Sequence, residues 1–143
     1  MLDDNLIYYR ADDDKRTVIT ERMAEIISRY PEIIAAWLHG SFLEEPFFRD
    51  IDVGILVRGL IPMAYWDFEW EVIERIRQEV RPPCEVDLRV INEAPLSFRF
   101  HVIRGRLIST RDEEFATDYI ESVGREYLDF APLRYRAMLE SWS

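Results

Sequence analysis

The sequence predicts an α/β (α+β) fold, a small mixed sheet flanked by helices with further helices at the C-terminus. Three observations point to it. Ile33-Ile34-Ala35-Ala36-Trp37-Leu38 is an unbroken apolar run, as a strand buried on both faces requires. Residues 50–57 and 85–91 alternate in character, which is the period of a strand whose two faces differ. Between and beyond these segments, apolar residues recur at helical spacing.

Taken in order, residues 1–14 carry five aspartates around Leu6-Ile7-Tyr8-Tyr9, an end expected to fray. The Asp12-Asp13-Asp14 run also suits a helix N-terminus, where negative charge meets free backbone N–H groups. Ile19, Met23, Ile26 and Tyr30 predict a helix over 15–29, ended by Tyr30-Pro31. The strand at 33–38 follows and delivers Gly40-Ser41 at its carboxyl end, where ligands of open α/β sheets sit. A short helical or looped insert, 42–48, contains Pro46. In the next strand Asp50, Asp52, Gly54 and Leu56 share one face, and Ile51, Val53, Ile55 and Val57 the other.

After a loop marked by Gly59 and Pro62, Tyr65, Phe68, Val72, Ile76 and Val80 form one helical stripe flanked by Trp66 and Ile73. Its Trp and Tyr residues are expected in the core. Arg81-Pro82-Pro83 breaks this helix. Glu85, Asp87 and Arg89 then share a face of the second alternating strand. Asn92 to Pro95 read as a loop, 96–103 as a helix and 106–109 as a short strand. Thr110 with Glu113 has the spacing of a capping box. Phe115, Tyr119, Val123, Tyr127 and Phe130 define a long helix, with a kink or restart expected at Pro132.

At 143 residues the chain reads as one domain, 1–143, large enough to bury a core. Its 48% hydrophobic content excludes a disordered polymer. A net charge of −10 argues against stable direct binding of nucleic acid, which requires Lys and Arg to neutralise phosphates. The same charge suits carboxylates gathered around metal ions, or docking onto a basic partner. Cys84 is the sole cysteine, the N-terminus is acidic rather than basic, and no apolar run reaches membrane-span length. A cytoplasmic protein is expected.

Three groups carry the chemistry: Gly40-Ser41, Asp50-x-Asp52, and Asp87 on a later strand. Glycine lets a backbone turn sharply and approach a phosphate, and the serine adds a hydroxyl beside free N–H groups. A lone pair of aspartates two apart is usually a solvated strand face. Here Asp52 lies between Ile51 and Val53, and Asp87 between Val86 and Leu88, in strands otherwise built for burial. Carboxylates in such places need partners, and divalent cations supply them. Three of them beside a glycine turn suit in-line phosphoryl or nucleotidyl displacement.

This pattern, Gly-Ser, about ten residues, Asp-x-Asp, then a third Asp on a following strand, resembles the polymerase-β-type nucleotidyltransferase superfamily. The small size and the ending Arg125-Glu126-Tyr127-Leu128-Asp129-Phe130 look more narrowly like the minimal nucleotidyltransferase (MNT) antitoxins of HEPN/MNT toxin–antitoxin systems. The resemblance implies a nucleotidyltransferase fold. It implies that Gly40 and Ser41 hold the β- and γ-phosphates of ATP. Asp50, Asp52 and Asp87 would bind two Mg²⁺ ions, with Asp87 helping to deprotonate the nucleophile. It further implies transfer of AMP to a tyrosine of a HEPN-domain toxin, which silences that ribonuclease, within a hetero-oligomer.

The sequence departs from the family pattern in two places. The insert after Ser41 lacks a second glycine, and Arg49 stands where many members have Ser or Thr before the first aspartate. Arg49 either pairs with a phosphate oxygen or neutralises the neighbouring aspartates. Two other functions compete with AMP transfer: an antitoxin that neutralises its partner by binding alone, and a nucleotidyltransferase acting on a small molecule. Among the other candidates, His39 reads as structural and Cys84 as inert. His101 lies in a basic and aromatic segment with Phe98, Arg99, Phe100, Arg104 and Arg106, which reads as an ordinary helix face before a contact for nucleotide or partner.

Overall fold

The computed structural model describes residues 9–142, and the side chains of residues 9–130. The elements run β1 (Tyr9–Arg10), α1 (Asp13–Ser28), β2 (Ile33–His39), α2 (Ser41–Glu44), β3 (Phe47–Phe48) and β4 (Asp50–Val57). They continue as α3 (Tyr65–Glu79), β5 (Glu85–Val90), α4 (Leu96–Ile103), β6 (Arg106–Thr110) and α5 (Glu113–Trp142). Four strands form one mixed sheet in the order β5-β4-β2-β6. β2 is antiparallel to both of its neighbours, whereas β4 and β5 are parallel.

The strand alternation decides which layer each residue enters. Ile51, Val53, Ile55 and Val57 of β4 join Val86 and Leu88 of β5 in the larger core, under Met23, Ile26 and Ile27 of α1 and Phe68, Val72 and Ile76 of α3. Leu56, from the opposite face of β4, packs instead with Ala35, Trp37, Ile91, Val102 and Ala116 beneath α4 and α5. All seven residues of β2 are buried, because the sheet is covered on both sides there. Asn92 closes the far end of β4: its amide accepts from Val57 N (2.9 Å) and donates to Val57 O (2.8 Å).

Of the local expectations some hold and some change, and the fraying expected of residues 1–14 falls largely on residues 1–8, outside the described residues. The acidic run at 12–14 starts α1, with the Asp12 carboxylate accepting from Lys15 N at 2.8 Å. The insert is ordered: β3 pairs antiparallel with β1, setting Tyr9 opposite Phe48. The cap of α5 is Asp112, which accepts from Phe115 N at 3.0 Å, while Thr110 bonds to Asp112 and forms no capping box with Glu113. α5 is one helix from Glu113 to Trp142, so of the kink or restart expected at Pro132 the restart does not occur. Trp66 and Trp70 are not core residues but lie 66% and 49% exposed. Among the described residues, no helix is long and apolar enough to cross a membrane.

Arg16 of α1 holds the insert in place. Its guanidinium donates to Ala11 O (3.0 Å), Phe42 O and Pro46 O (2.7 Å), and lies 4.8 Å from the Phe48 ring. Bonds of this kind are charge-assisted, and three of them converge on one side chain. Arg16→Ala is expected to lose about 2 kcal/mol, with faster amide exchange concentrated in 41–48. Lysine at this position restores little, since a point charge cannot span three carbonyls as the planar fork does.

Candidate active site

The sheet topology brings the predicted residues to one end of the strands. β2 ends at His39, β4 begins at Asp50 beside it and runs back, and β5 begins in parallel with β4. In register, His39 faces Asp52, Asp52 faces Asp87 and Asp50 faces Glu85. The glycine turn therefore lies at a carboxyl end, and the aspartates at amino ends, because the β2–β4 pairing is antiparallel.

Gly40 leaves β2 with φ 81° and ψ −161°, a backbone conformation reserved for glycine. A Cβ at Gly40 would stand 2.4 Å from Asp52 Oδ2, so the turn is pressed directly against that carboxylate. Ser41 opens α2, whose first turn is closed by Leu43 N and Glu44 N donating to Gly40 O at 3.1 and 3.2 Å. Arg49 is exposed, and among the described residues it forms no ion pair with Asp50 or Asp52.

Asp52 is electrostatically crowded. Burial, and then the like charges of Asp87 and Asp50, push its carboxyl up to about 6 from 3.8. Asp87 is partly relieved by Arg89, whose Nε donates to its Oδ1 at 3.0 Å. Among the described residues, no three acidic, His or Cys side chains are gathered closely enough to hold a metal ion as they stand. The donor set nevertheless fits a hard divalent cation: carboxylate oxygens on adjacent strands, one of them held against its own charge.

Two further parts of the centre are legible only partly in the sequence. His39 is buried, 8% exposed, with Nδ1 unpartnered among the described residues, and it sits edge-on to His101 (5.2 Å) and Phe98 (5.9 Å). Burial, reinforced by His101, lowers it to about 4, so it is neutral at pH 7 and fills space. Of the segment 98–106, Phe98 and His101 reach His39, whereas Phe100 stacks on Tyr127 (3.9 Å) with Arg104 over the Phe100 ring (5.6 Å). Burial, with Asp50 and Glu85 behind it, raises the Cys84 thiol to about 12, which makes it inert.

Sequence reasoning misses Arg89, Glu69, Trp66 and Trp70 as site residues. With Asp50, Glu85 and Asp87 they line a groove of about 530 Å³ between α3 and the outer edge of β5. The shared face of Glu85, Asp87 and Arg89 is the available signal for Arg89. Glu69 accepts from Val90 N at 2.7 Å, sealing one end of the strand edge.

The Asp52 shift has a pH signature. A folded pKa of about 6 against 3.8 means that the folded chain binds more protons in that window, so this residue's unfavourable contribution fades as pH falls. His39 works in the opposite sense, because its lowered pKa removes stability as pH falls from 6.5 towards 4. The difference between wild type and Asp52→Asn isolates the aspartate. In the ligand-free protein the variant is expected to be more stable at pH 7.5 by about 1 kcal/mol, discounting for partial exposure. Its melting advantage of about 2–4 °C vanishes by about pH 4, as measured by thermal unfolding across pH.

Comparison with known proteins fits this geometry. No curated protein matches the sequence significantly. Among solved structures, the chain is similar to the toxin–antitoxin MntA-HepT, at 14% identity and TM-score 0.64, covering 89% of this chain and 99% of that one. It is similar to the complex of a tri-AMPylated Shewanella oneidensis HEPN toxin with its MNT antitoxin, at 14% identity and TM-score 0.65, over 90% of this chain and 99% of that one. A toxin–antitoxin structure with AMP-PNP matches at 17% identity and TM-score 0.65, over 86% and 98%. Identities this low establish the shared fold. The family model for polymerase beta nucleotidyltransferases matches residues 21–114, a span that holds the Gly40-Ser41 turn and all three strand aspartates. The chain belongs to the polymerase beta nucleotidyltransferase family.

Proposed function

We propose that this chain is a Mg²⁺-dependent nucleotidyltransferase antitoxin that transfers AMP from ATP to a tyrosine of a partner HEPN ribonuclease, silencing it within a hetero-oligomer. The observation that carries the reading is Asp52, held between Gly40 and Asp87 with its ionised form disfavoured. Such crowding is costly unless a cation relieves it. The similar complexes support the choice of acceptor, since one contains a tri-AMPylated HEPN toxin and another AMP-PNP.

In this reading Gly40 and Ser41 hold the β- and γ-phosphates, and exposed Arg49 pairs with a phosphate oxygen. Asp50, Asp52 and Asp87 would hold two Mg²⁺ ions, which would supply positive charge where phosphate charge develops. The tyrosine oxygen forms a bond to the α-phosphorus as the bond to pyrophosphate breaks, and Asp87 takes the hydroxyl proton. His39, neutral and buried, keeps water and competing charge from the turn.

The test uses α-labelled ATP and Mg²⁺, with and without the partner, in wild type and Asp52→Asn. Label on the partner that disappears in the variant supports the transferase. Protection from toxicity that persists in Asp52→Asn, with no label in wild type, replaces it with neutralisation by binding. Arg89 offers a subsidiary check, because a cation that takes Asp87 competes with the 3.0 Å ion pair. Arg89→Gln is expected to tighten Mn²⁺ binding by about two- to fivefold, the worth of one exposed pair, as read by calorimetry.

A further inference from the structure

The groove between α3 and β5 has features that nucleotide binding does not use. Trp66 and Trp70, one turn apart, form an edge-to-face pair at 6.4 Å and remain 66% and 49% exposed. Ile61 and Met63, in the segment before α3, are also exposed, at 65% and 89%, though they do not line the groove. Large side chains displayed side by side at the mouth of a charged groove mark a contact surface rather than a core.

Position decides what arrives there. Across the sheet, Gly40 follows β2, Asp50 and Asp52 lie on β4, and Asp87 lies on β5. The glycine turn and the groove thus sit on opposite sides of the aspartates. In an in-line displacement the entering oxygen approaches opposite the leaving group. With pyrophosphate leaving over Gly40-Ser41, the acceptor enters from the β5 side, where the groove opens. Charge decides the chemistry. Apart from Asp50 and Asp87, which the transferase reading gives to metal ions, Glu69 and Glu85 line the groove, against one cation, Arg89, among the described residues. Such a lining repels RNA and welcomes arginine or lysine. Tryptophan faces add a stacking and cation–π surface for tyrosine and arginine side chains.

We infer that this groove is the acceptor-docking surface, and that its occupant is a basic polypeptide segment carrying the acceptor tyrosine, clasped by Trp66 and Trp70. This rests on the transferase reading for the side of entry; the charge and aromatic surface stand without it. Glu69 already occupies Val90 N at the end of β5, so a segment seated at that end is recognised by side chains rather than by strand addition.

The test titrates the full chain, by tryptophan fluorescence and calorimetry, with a synthetic peptide holding one tyrosine flanked by arginines. A glutamate-flanked peptide, a short single-stranded RNA and ATP with Mg²⁺ are run beside it. Binding of the arginine peptide, weakened at least tenfold by Trp66→Ala/Trp70→Ala and by 0.5 M salt (on the order of several Debye-screened contacts), is the expected result. The conservative pair Trp66→Phe/Trp70→Phe is expected to keep most of it, and circular dichroism checks that each variant is folded. Absence of arginine-peptide binding, equal binding by the folded alanine variant, or preference for RNA overturns the docking surface. Loss of ATP binding in the alanine variant also overturns it, by making the groove a nucleotide site. Failure of wild type to bind ATP with Mg²⁺ sinks the transferase reading instead, and leaves the peptide result to judge the groove.

Discussion

Asp52→Asn is expected to lower AMP transfer by at least about 10³-fold, roughly 4 kcal/mol of transition-state stabilisation, while leaving the fold intact. The substitution keeps shape but removes the charge that sits between the other two carboxylates. A neutral amide is a poor ligand for a hard cation, and a lost ion removes charge neutralisation where phosphate charge moves. The loss is expected in kcat as well as in apparent Mg²⁺ affinity, because in the proposed mechanism the ions would act on the transition state more than on ATP itself. Ligand-free stability moves the other way. Relief of repulsion with Asp50 and Asp87 makes the variant the more stable protein at neutral pH. A gain in stability paired with a loss of activity separates a functional carboxylate from a structural one. Transfer within tenfold of wild type, measured at saturating Mg²⁺ with label on the partner, rejects the role given to Asp52.

Much of this arrangement is legible because β4 has a period of two. Ile51, Val53, Ile55 and Val57 on one face enter the larger core, while on the other face Leu56 enters the smaller core and Asp50 and Asp52 face the site, as the alternation requires. The same rule places Asp87 and Arg89 together. Register is a different matter. Nothing local in the sequence says that β2 and β4 run antiparallel while β4 and β5 run parallel, yet that choice sets Asp52 opposite both His39 and Asp87. The two-residue strands β1 and β3 are hidden because so short a segment has no periodicity, and their pairing depends on Arg16 reaching carbonyls 26 and 30 residues away. Trp66 and Trp70 are expected in the core for a related reason. A helical stripe has edges, and hydrophobicity alone does not tell a residue at the edge, facing a groove, from one beneath it.

Gly40→Ala is expected to destabilise the chain by about 2–4 kcal/mol and to abolish ATP binding. Two independent penalties meet at this position. The backbone at φ 81° and ψ −161° is strained for any residue with a Cβ, and the added methyl would lie 2.4 Å from Asp52 Oδ2 and 3.3 Å from its Cγ. Gly59 separates the two, since it also has positive φ, 82°, yet a Cβ added there would meet nothing within 4 Å. Gly59→Ala therefore suffers from conformation alone, about 1 kcal/mol, and leaves ATP binding unchanged. A double-mutant cycle makes the contact explicit. In Gly40→Ala/Asp52→Ala the carboxylate that the methyl strikes is gone, so the double variant is less destabilised than the sum of the two single ones. Additive losses in denaturant unfolding would place the whole effect in the backbone and deny that the glycine turn and the carboxylate are fitted to each other. Coupling of about 1 kcal/mol or more shows that they form one unit: the turn can approach a phosphate only where nothing stands between its backbone and the acid beside it.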